Sequence, residues 1–171
     1  MREPAAQKKA PKPRARVAQG QAQGGCVCGA VRLEIDTPAV WAWHDHSAAS
    51  GRAQGCAYAT YVGSWRSRFR ILQGSEAISR YEDAAAGTAR SFCGRCGTPL
   101  TYERARAPKM VNIPRALFET RTGREPRYHL NLRETPDWTW SGAALAPLKG
   151  YPGVMWERPR RKPRRIVDDL I

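Results

Sequence analysis

The sequence has no run of about 18 consecutive apolar residues, the length that a membrane-spanning helix needs. Its first 23 residues are rich in Lys, Arg, Pro, Ala and Gln and lack the apolar stretch of a secretory signal. The chain also shows no internal repeat and no sustained apolar period of 3.6 residues, which would indicate amphipathic helices. We therefore expect a cytoplasmic protein without a membrane span, in a compartment where thiols stay reduced.

Acidic residues are also few: 15 Asp and Glu oppose 29 Lys and Arg, which gives a formal net charge of +14. Much of this excess lies in two proline-rich ends, residues 1–22 and 157–171, and such segments are typically disordered. The length between them, residues 23–156, predicts one domain. The tails either bind an acidic partner such as nucleic acid without reading its sequence, or are only solubilising extensions. No aromatic residue is interleaved with their basic residues, so neither tail offers a base-stacking platform.

Short alternating segments dominate the rest of the chain. In residues 30–36, Val31, Leu33 and Ile35 lie on one face and charged residues on the other, which is typical of a half-buried antiparallel strand. Similar patterns predict further strands at residues 40–44, 58–62, 69–72, 77–81, 89–92, 99–103, 110–113 and 128–133. The even spacing of these segments predicts an all-β domain of short antiparallel strands.

The last predicted strand carries a second alternating pattern. Tyr128, Leu130 and Leu132 alternate with polar residues, and we expect them to face the core. Residues 115–120, before this strand, are expected to form one short helical turn.

Four of the five cysteines lie in two glycine-flanked pairs. Cys93 and Cys96 form a C-x2-C knuckle, and Cys26 and Cys28 stand far upstream. Together they could supply the four thiolates of a tetrahedral structural zinc site. Two disulfides and four ordinary buried thiols are the alternatives. The expected reducing compartment and the paired spacing favour zinc.

The order of several motifs resembles that of a known family. The chain reads Gly-Gly-Cys26-x-Cys28-Gly-Ala-Val-Arg, then Arg90-x-Phe92-Cys93-x-x-Cys96-Gly97-Thr98-x-Leu100, then Pro126-x-x-His129 and Trp138. This order is similar to that of the glutathione-dependent formaldehyde-activating enzymes, a family that includes centromere protein V. The resemblance covers roughly residues 24–152.

The resemblance implies a β-tent fold in which the zinc knuckle pair holds a structural zinc, so that residues 23–156 form a formaldehyde-activating-enzyme-like zinc domain. It also implies a second, catalytic zinc and an activity of the carbon–sulfur lyase type. In that chemistry glutathione adds to formaldehyde and gives S-hydroxymethylglutathione. A small thiol and an aldehyde would therefore be the substrates.

The motif for the second zinc departs from the family pattern, which is Cys-His-Cys-Ser-x-Cys. Aligned on Ser47, the chain has His44 and His46 at the first two cysteine positions and Ala49 at the third. We therefore expect little or no glutathione-dependent formaldehyde activity. His44 and His46 are weak catalytic candidates that could still hold a metal, because residues two apart in an extended segment project to one side. The alternative is that both are simply solvated or hydrogen-bonded within the protein.

A third ligand would complete an open zinc site, and three residues are candidates: Asp45, Cys56 and His129. The favoured interpretation of Cys56, the fifth cysteine, is a buried or surface bystander thiol. Two functions follow. The first is a carbon–sulfur lyase, or a drifted relative that acts on a small aldehyde or thiol adduct. The second is an inactive zinc-stapled module whose basic tails bind an acidic partner. One zinc per chain would support the module, and two would support the enzyme.

Overall fold

A computed structural model describes residues 20–139, 145–147, 149–150 and 155–157 of the 171-residue chain. The chain divides into two compact units, Met1–Thr135 and Pro136–Ile171. The predicted basic tails lie almost wholly outside the described residues, so their disorder and their binding of nucleic acid stay predictions. In the part of the chain that the structure describes, no helix is long and apolar enough to cross a membrane.

Strands are the main regular elements in the described part of the first unit. They are β1 (Gly20–Gly25), β2 (Arg32–Thr37), β3 (Trp41–Asp45), β4 (Ala59–Trp65), β5 (Phe69–Gln73), β6 (Ile78–Asp83), β7 (Thr88–Cys93), β8 (Pro99–Arg104), β9 (Met110–Pro114) and β10 (Tyr128–Leu130). Its α-helix is α1 (Ala48–Gln54), and single 3-10 turns occur at Arg66–Arg68, Ser75–Ala77, Arg115–Leu117 and Leu132–Glu134. In the second unit, β11 (Leu145–Pro147) pairs with β12 (Met155–Glu157) in antiparallel orientation.

The strands of the first unit form two sheets. One has three strands in the order β1-β2-β5, and the other has seven in the order β10-β3-β4-β9-β8-β7-β6. The described pairings within these sheets are antiparallel, apart from the parallel pair of β3 and β10. The predicted all-β class of short antiparallel strands is confirmed.

The core lies between the three-stranded sheet and the larger sheet. Val31, Leu33 and Ile35 are fully buried, as their alternation predicted. Glu34, between them, is also buried. Its carboxylate accepts hydrogen bonds from Arg70 Nε at 2.7 Å and Gln23 Nε2 at 3.1 Å. A buried carboxylate is tolerated only with such partners.

Strand β1 begins three residues before the predicted start of the domain at residue 23. Its Gly- and Gln-rich sequence has no strand-like alternation, yet Ala22 is fully buried. A Cβ at Gly24 would lie 2.0 Å from the carbonyl oxygen of Leu117, so only glycine allows this close backbone approach. The first sheet therefore includes residues that precede the predicted start of the domain.

The prediction for the last strand is wrong in two respects. Strand β10 has only three residues, and it is parallel to its neighbour. Tyr128 is 63% exposed and Leu132 is 58% exposed, so neither faces the core. The chain turns at Asn131, whose φ of 59° is left-handed, and this moves Leu132 into a 3-10 turn. Only Leu130 packs inward, against the cluster that contains Trp43.

Candidate functional site

The four paired cysteines meet in space. Their sulfur atoms all lie within 4.8 Å of one another, and this group could hold a metal ion. The Sγ atoms of Cys26 and Cys28 are 3.5 Å apart, and those of Cys28 and Cys93 are 3.8 Å apart. Sulfurs on one tetrahedral zinc, with bonds of about 2.3 Å, are separated by about 3.8 Å. A disulfide bond is much shorter, about 2.05 Å, and all five cysteines are free.

Glycines close the knuckle around this cluster. Gly97 has a φ of +72°, a left-handed conformation, and its amide donates to the carbonyl oxygen of Cys93 at 2.8 Å. Gly94 serves a different purpose. A Cβ there would lie 2.8 Å from Ser79 Oγ, and the Gly94 amide donates to the carbonyl of Ala77 at 2.7 Å. One glycine thus provides a backbone angle and the other provides space.

Hydrogen bonds to sulfur favour the thiolate form that a metal needs. The amide of Val31 donates to Cys26 Sγ at 3.2 Å, and the pKa of the Cys26 thiol is lowered although burial opposes this. The hydroxyl of Thr98 lies 3.1 Å from Cys96 Sγ and lowers the pKa of that thiol to about 5. Cys26 and Cys93 are buried, whereas the other two cysteines face solvent.

A second cluster contains all three histidines of the chain. His46 Nε2 and His129 Nδ1 are 3.0 Å apart. The ring centroids of His44 and His129 are separated by 4.8 Å, and those of His46 and His129 by 5.2 Å. Three residues were candidates for a third ligand beside His44 and His46. Of these, the fold places His129 next to both rings.

Strand pairing explains this convergence. In the parallel pair of β3 and β10, His44 and His129 are directly opposite each other. The amide of His46 then donates to the carbonyl of Leu130 at 3.0 Å, which continues the pairing by one residue. Residues two apart on a strand point to the same face, so His44 and His46 both lie beside the ring of His129.

The surroundings hold the imidazoles in place. His44 Nδ1 is 2.9 Å from Thr60 Oγ1, and His46 Nδ1 is 3.2 Å from Thr135 Oγ1. The Tyr58 ring packs on His44 and His46, with centroids 5.2 and 4.9 Å away. His46 is only 6% exposed and is hydrogen-bonded rather than solvated, as the alternative to a metal site also allows. His129, by contrast, is exposed.

Burial also affects protonation. Desolvation lowers the pKa of His44 below its ordinary value, and the neighbouring charges of His129 and His46 act in the same direction. Desolvation and the charge of His129 likewise lower the pKa of His46, against the opposing effect of Asp45. Both shifts favour the neutral imidazole at pH 7, the form in which one ring nitrogen carries a lone pair.

The carboxylate of Asp45 is not part of the histidine cluster. It is buried and accepts hydrogen bonds from Ser50 Oγ at 2.9 Å, Asn131 Nδ2 at 2.8 Å and the amide of Ser47 at 3.0 Å. These bonds lower its pKa although burial, the largest influence, acts to raise it. All of these partners belong to α1, its N-cap or the turn after β10. Asp45 thus fixes the segments on either side of the histidines.

Cys56 and Ala49 also lie in surroundings other than the histidine cluster. Cys56 is half-buried against the cluster of Trp43, Ala59 and Tyr61, and burial raises the pKa of its thiol. Ala49 lies in the first turn of α1, where it lines a groove of about 730 Å³ that neither His44 nor His46 lines. The position of the family's third cysteine therefore faces this groove.

One feature of the groove escaped the sequence analysis. The guanidinium of Arg90 lies 4.3 Å from the centroid of the Tyr102 ring and donates to the hydroxyl of Tyr61 at 3.1 Å. Its second terminal nitrogen, Nη2, lies 3.4 Å from Ser50 Oγ. Because Ser50 Oγ also donates to Asp45, the hydroxyl links Arg90 to Asp45. Arg90 appears in the motif before the knuckle, but its partners come from β4, α1 and β8, and no local pattern brings them together.

Two sequence similarities identify the family of this chain. A profile of the glutathione-dependent formaldehyde-activating enzymes matches residues 21–134, more than half of the chain. A Halomonas elongata protein with the provisional name glutathione-dependent formaldehyde-activating enzyme is 30% identical over 123 residues, which cover 68% of this chain and 78% of that protein. A solved structure of a Rhodobacter sphaeroides protein has a TM-score of 0.49 and 24% identity, and the match covers 58% of this chain and 89% of that one. The chain belongs to the glutathione-dependent formaldehyde-activating enzyme family.

Proposed function

We propose that this protein makes or breaks the carbon–sulfur bond in adducts of a small thiol and an aldehyde, on the face that carries His44, His46 and His129. The observation that carries this proposal is the convergence of all three histidines at the place where the family motif has thiolates. Membership of the family supports the reaction class. The wider likeness to centromere protein V stays a prediction from the motifs.

The first of the two zinc ions that the family resemblance implies fits this chain. The donor set of Cys26, Cys28, Cys93 and Cys96 is complete, and its sulfurs have the spacing of a tetrahedral site. We assign these residues to one structural zinc. Such an ion contributes folding free energy, because its ligands are brought together only in the folded chain.

The second implied zinc, held by three thiolates, does not fit. Positions 44, 46 and 49 carry no sulfur, and the Ala49 side chain offers no donor atom. We therefore expect little or no turnover of glutathione and formaldehyde by the route that the resemblance implies. The histidine cluster favours the alternative of an enzyme that acts on another pair of thiol and aldehyde.

The reaction needs two proton movements, which the cluster is arranged to serve. When the carbon–sulfur bond forms, the thiol proton leaves the sulfur and a proton reaches the aldehyde oxygen; cleavage reverses both steps. The nitrogen pair of His46 and His129 offers a proton acceptor and a donor 3.0 Å apart. Thr60 and Thr135 fix the other ring nitrogens of His44 and His46, and the Tyr58 ring limits access of water.

The test measures how fast thiol–aldehyde adducts form and break. Exchange NMR would be recorded with formaldehyde and a panel of thiols: a neutral thiol, an amino thiol and a thiol with two carboxylates. We expect faster exchange with at least one thiol, and loss of this acceleration in His46→Ala. The matched control is Tyr128→Phe, which alters an exposed residue next to His129 and keeps the acceleration. No acceleration with any thiol, or full acceleration in His46→Ala, would overturn the proposal.

The inactive zinc-stapled module is the other function class. Its tails fall outside the described residues, so nucleic-acid binding stays a prediction, as does the cytoplasmic location. The convergence of the histidines favours the enzyme, because a module that serves only as a staple has no need of a second prearranged cluster.

A further inference from the structure

We propose that the groove of about 730 Å³ beside α1 binds a small organic anion, whose charged group contacts Arg90 and Arg104 and whose apolar part packs on the Tyr102 ring. The charged group is a phosphate or a carboxylate, because the guanidinium fork matches the oxygens of both. A groove of this volume lies within the range of small-molecule sites in proteins. The site goes beyond the proposed function, because the groove and the histidines lie on opposite faces of β3.

Alternation along β3 separates these two faces. Ala42 packs into the core cluster between the two sheets, and His44 and His46 point the same way, since residues two apart on a strand share a face. Trp43 and Asp45 point the other way, and both line the groove. The groove therefore lies on the face of the seven-stranded sheet that is turned away from the three-stranded sheet.

This outer face is aromatic, although the outer face of a sheet in a two-sheet domain is usually polar. The ring centroids of Trp41 and Trp43 are 4.4 Å apart, those of Trp43 and Tyr61 are 5.4 Å apart, and those of Tyr61 and Tyr102 are 5.4 Å apart. The row of rings runs from β3 through β4 to β8, and α1 lies beside it. Such a floor favours the apolar or aromatic part of a ligand.

Two arginines of the groove are held by these rings. The guanidinium of Arg90 lies 4.3 Å from the centroid of the Tyr102 ring and donates to the Tyr61 hydroxyl at 3.1 Å. The guanidinium of Arg104 lies 5.9 Å from the centroid of the Trp41 ring. An aromatic face attracts a guanidinium without neutralising its charge. Both arginines are thus positioned and remain available to an anion.

The ion pairs of the domain lie elsewhere. In the described part of the chain, the arginines that pair with carboxylates do not line this groove; they are Arg32, Arg66, Arg70 and Arg80. The arginines that do line it form no ion pair with a described residue; they are Arg52, Arg90, Arg104 and Arg106. The groove therefore carries positive charge that described carboxylates do not compensate, and this favours an anionic ligand.

The carboxylates that line the groove are already hydrogen-bonded. Asp83 accepts a hydrogen bond from the Ala86 amide at 2.9 Å, and Glu134 accepts one from the Ala48 amide at 3.0 Å. Asp45 is held by its three partners around α1 and the turn after β10. None of these carboxylates needs a cation to satisfy its oxygens, so the unpaired charge in the groove belongs to the arginines.

Arg104 also has a buried donor without an acceptor. Its Nε atom is buried and has no hydrogen-bond partner among the residues that the structure describes. A buried donor without a partner is costly, and more so on a charged group. An oxygen of a bound phosphate or carboxylate would supply the acceptor. This atom requires an acceptor, which a cation or a purely apolar ligand does not offer.

Calorimetric titration of the full chain at neutral pH tests the site with four probes: phenyl phosphate, benzoate, inorganic phosphate and benzyl alcohol. We expect phenyl phosphate or benzoate to bind once per chain, at least about tenfold more tightly than inorganic phosphate, because only the aromatic probes reach Tyr102. Benzyl alcohol has the ring without the charge and should not bind. The tighter of the two aromatic anions identifies the charged group.

Variants place the binding in the groove. Arg104→Gln should weaken binding of the preferred aromatic anion by about tenfold or more, because it removes a charged donor. Ala53→Glu introduces a carboxylate at an exposed position of α1 that lines the groove, and it should weaken binding while keeping the helix. The matched control is Arg32→Gln in β2, whose arginine pairs with Glu119. That variant should stay within about twofold of the wild-type affinity.

Two outcomes would overturn the inference. Equal affinity for inorganic phosphate and both aromatic anions would mean that anions bind the basic tails or the surface in general. Undiminished binding in folded Arg104→Gln and Ala53→Glu would place the anion outside the groove. The proposed function fails separately, because His46→Ala should abolish the acceleration of adduct exchange and leave anion binding unchanged. Loss of anion binding in folded His46→Ala would assign the anion to the histidine face and overturn the inference as well.

Discussion

The two clusters differ in what holds their side chains together. The four cysteines come from two separate turns, with Cys28 and Cys93 65 positions apart in the chain, and their sulfurs contact one another directly. The three histidines are aligned by a strand pair and by bonds to Thr60 and Thr135. The cysteine cluster could hold an ion that in turn stabilises the fold, whereas strand pairing already positions the histidine rings.

The clusters also differ in charge. Four thiolates more than neutralise a divalent cation and leave no open position, which makes such a site structural and inert. Three neutral imidazoles leave the charge of a cation largely intact and keep one position open. A family member that has lost its second set of thiolates can therefore keep its four-cysteine structural site while the chemistry of its second site changes.

The largest effect should follow loss of a cysteine ligand. Cys93→Ser removes a fully buried thiolate from the four-cysteine cluster. Because metal binding is part of the folding free energy in such sites, we expect stability to fall by roughly 5 kcal/mol or more, enough to unfold a small domain. Thermal unfolding followed by circular dichroism would measure this, with Cys56→Ser as the control. Wild-type protein that keeps its melting temperature in a strong zinc chelator would contradict the comparison.

Sequence reasoning recovered the cysteine cluster because its information is local. Each pair is a short turn flanked by glycines, and the ligand count of zinc joins the two pairs. The apolar alternation of Val31, Leu33 and Ile35 was local too, and all three are buried. A sequence pattern was sufficient for prediction where the residues concerned lie within a few positions of one another in the chain.

The rest depended on contacts between distant segments. β1 has no alternation, and its place is set by the close approach of Gly24 to Leu117. Tyr128 and Leu132 alternate like core residues, yet β10 lies at the edge of its sheet and turns away at Asn131. The position of His129 opposite His44 follows from that same parallel pairing, and periodicity carries no information on strand order.

A smaller effect concerns acid stability, and it involves a carboxylate outside both clusters. Glu34 is buried in β2, the strand that follows the turn with Cys26 and Cys28. Its pKa is lowered mainly by the hydrogen bond from Arg70. Its stabilisation is therefore present above the unfolded pKa of about 4.3 and is lost as pH falls through the lower folded value. We expect Glu34→Gln to cost about 1 to 2 kcal/mol at pH 7 and less below pH of about 4.

Urea unfolding at several pH values, with metal saturating at neutral pH, would measure this difference. The matched control is Glu82→Gln, whose carboxylate pairs with Arg80 at 2.8 Å but is exposed. We expect that variant to stay within about 0.5 kcal/mol of the wild type. A pH profile for Glu34→Gln that runs parallel to the wild-type profile would show that acid acts through the metal sites instead.

The smallest effect should follow loss of the exposed histidine. His129→Gln keeps a side chain that can donate and accept a hydrogen bond toward His46, so the free energy of unfolding should change by no more than about 0.5 kcal/mol. The zinc held by the four cysteines should stay at one per chain, because His129 does not contact that cluster. Urea unfolding and elemental analysis of the same samples would measure both quantities. A loss of several kcal/mol in His129→Gln that keeps one zinc per chain would mean that the histidines hold the fold as the cysteines do, and the contrast between the two clusters would be wrong.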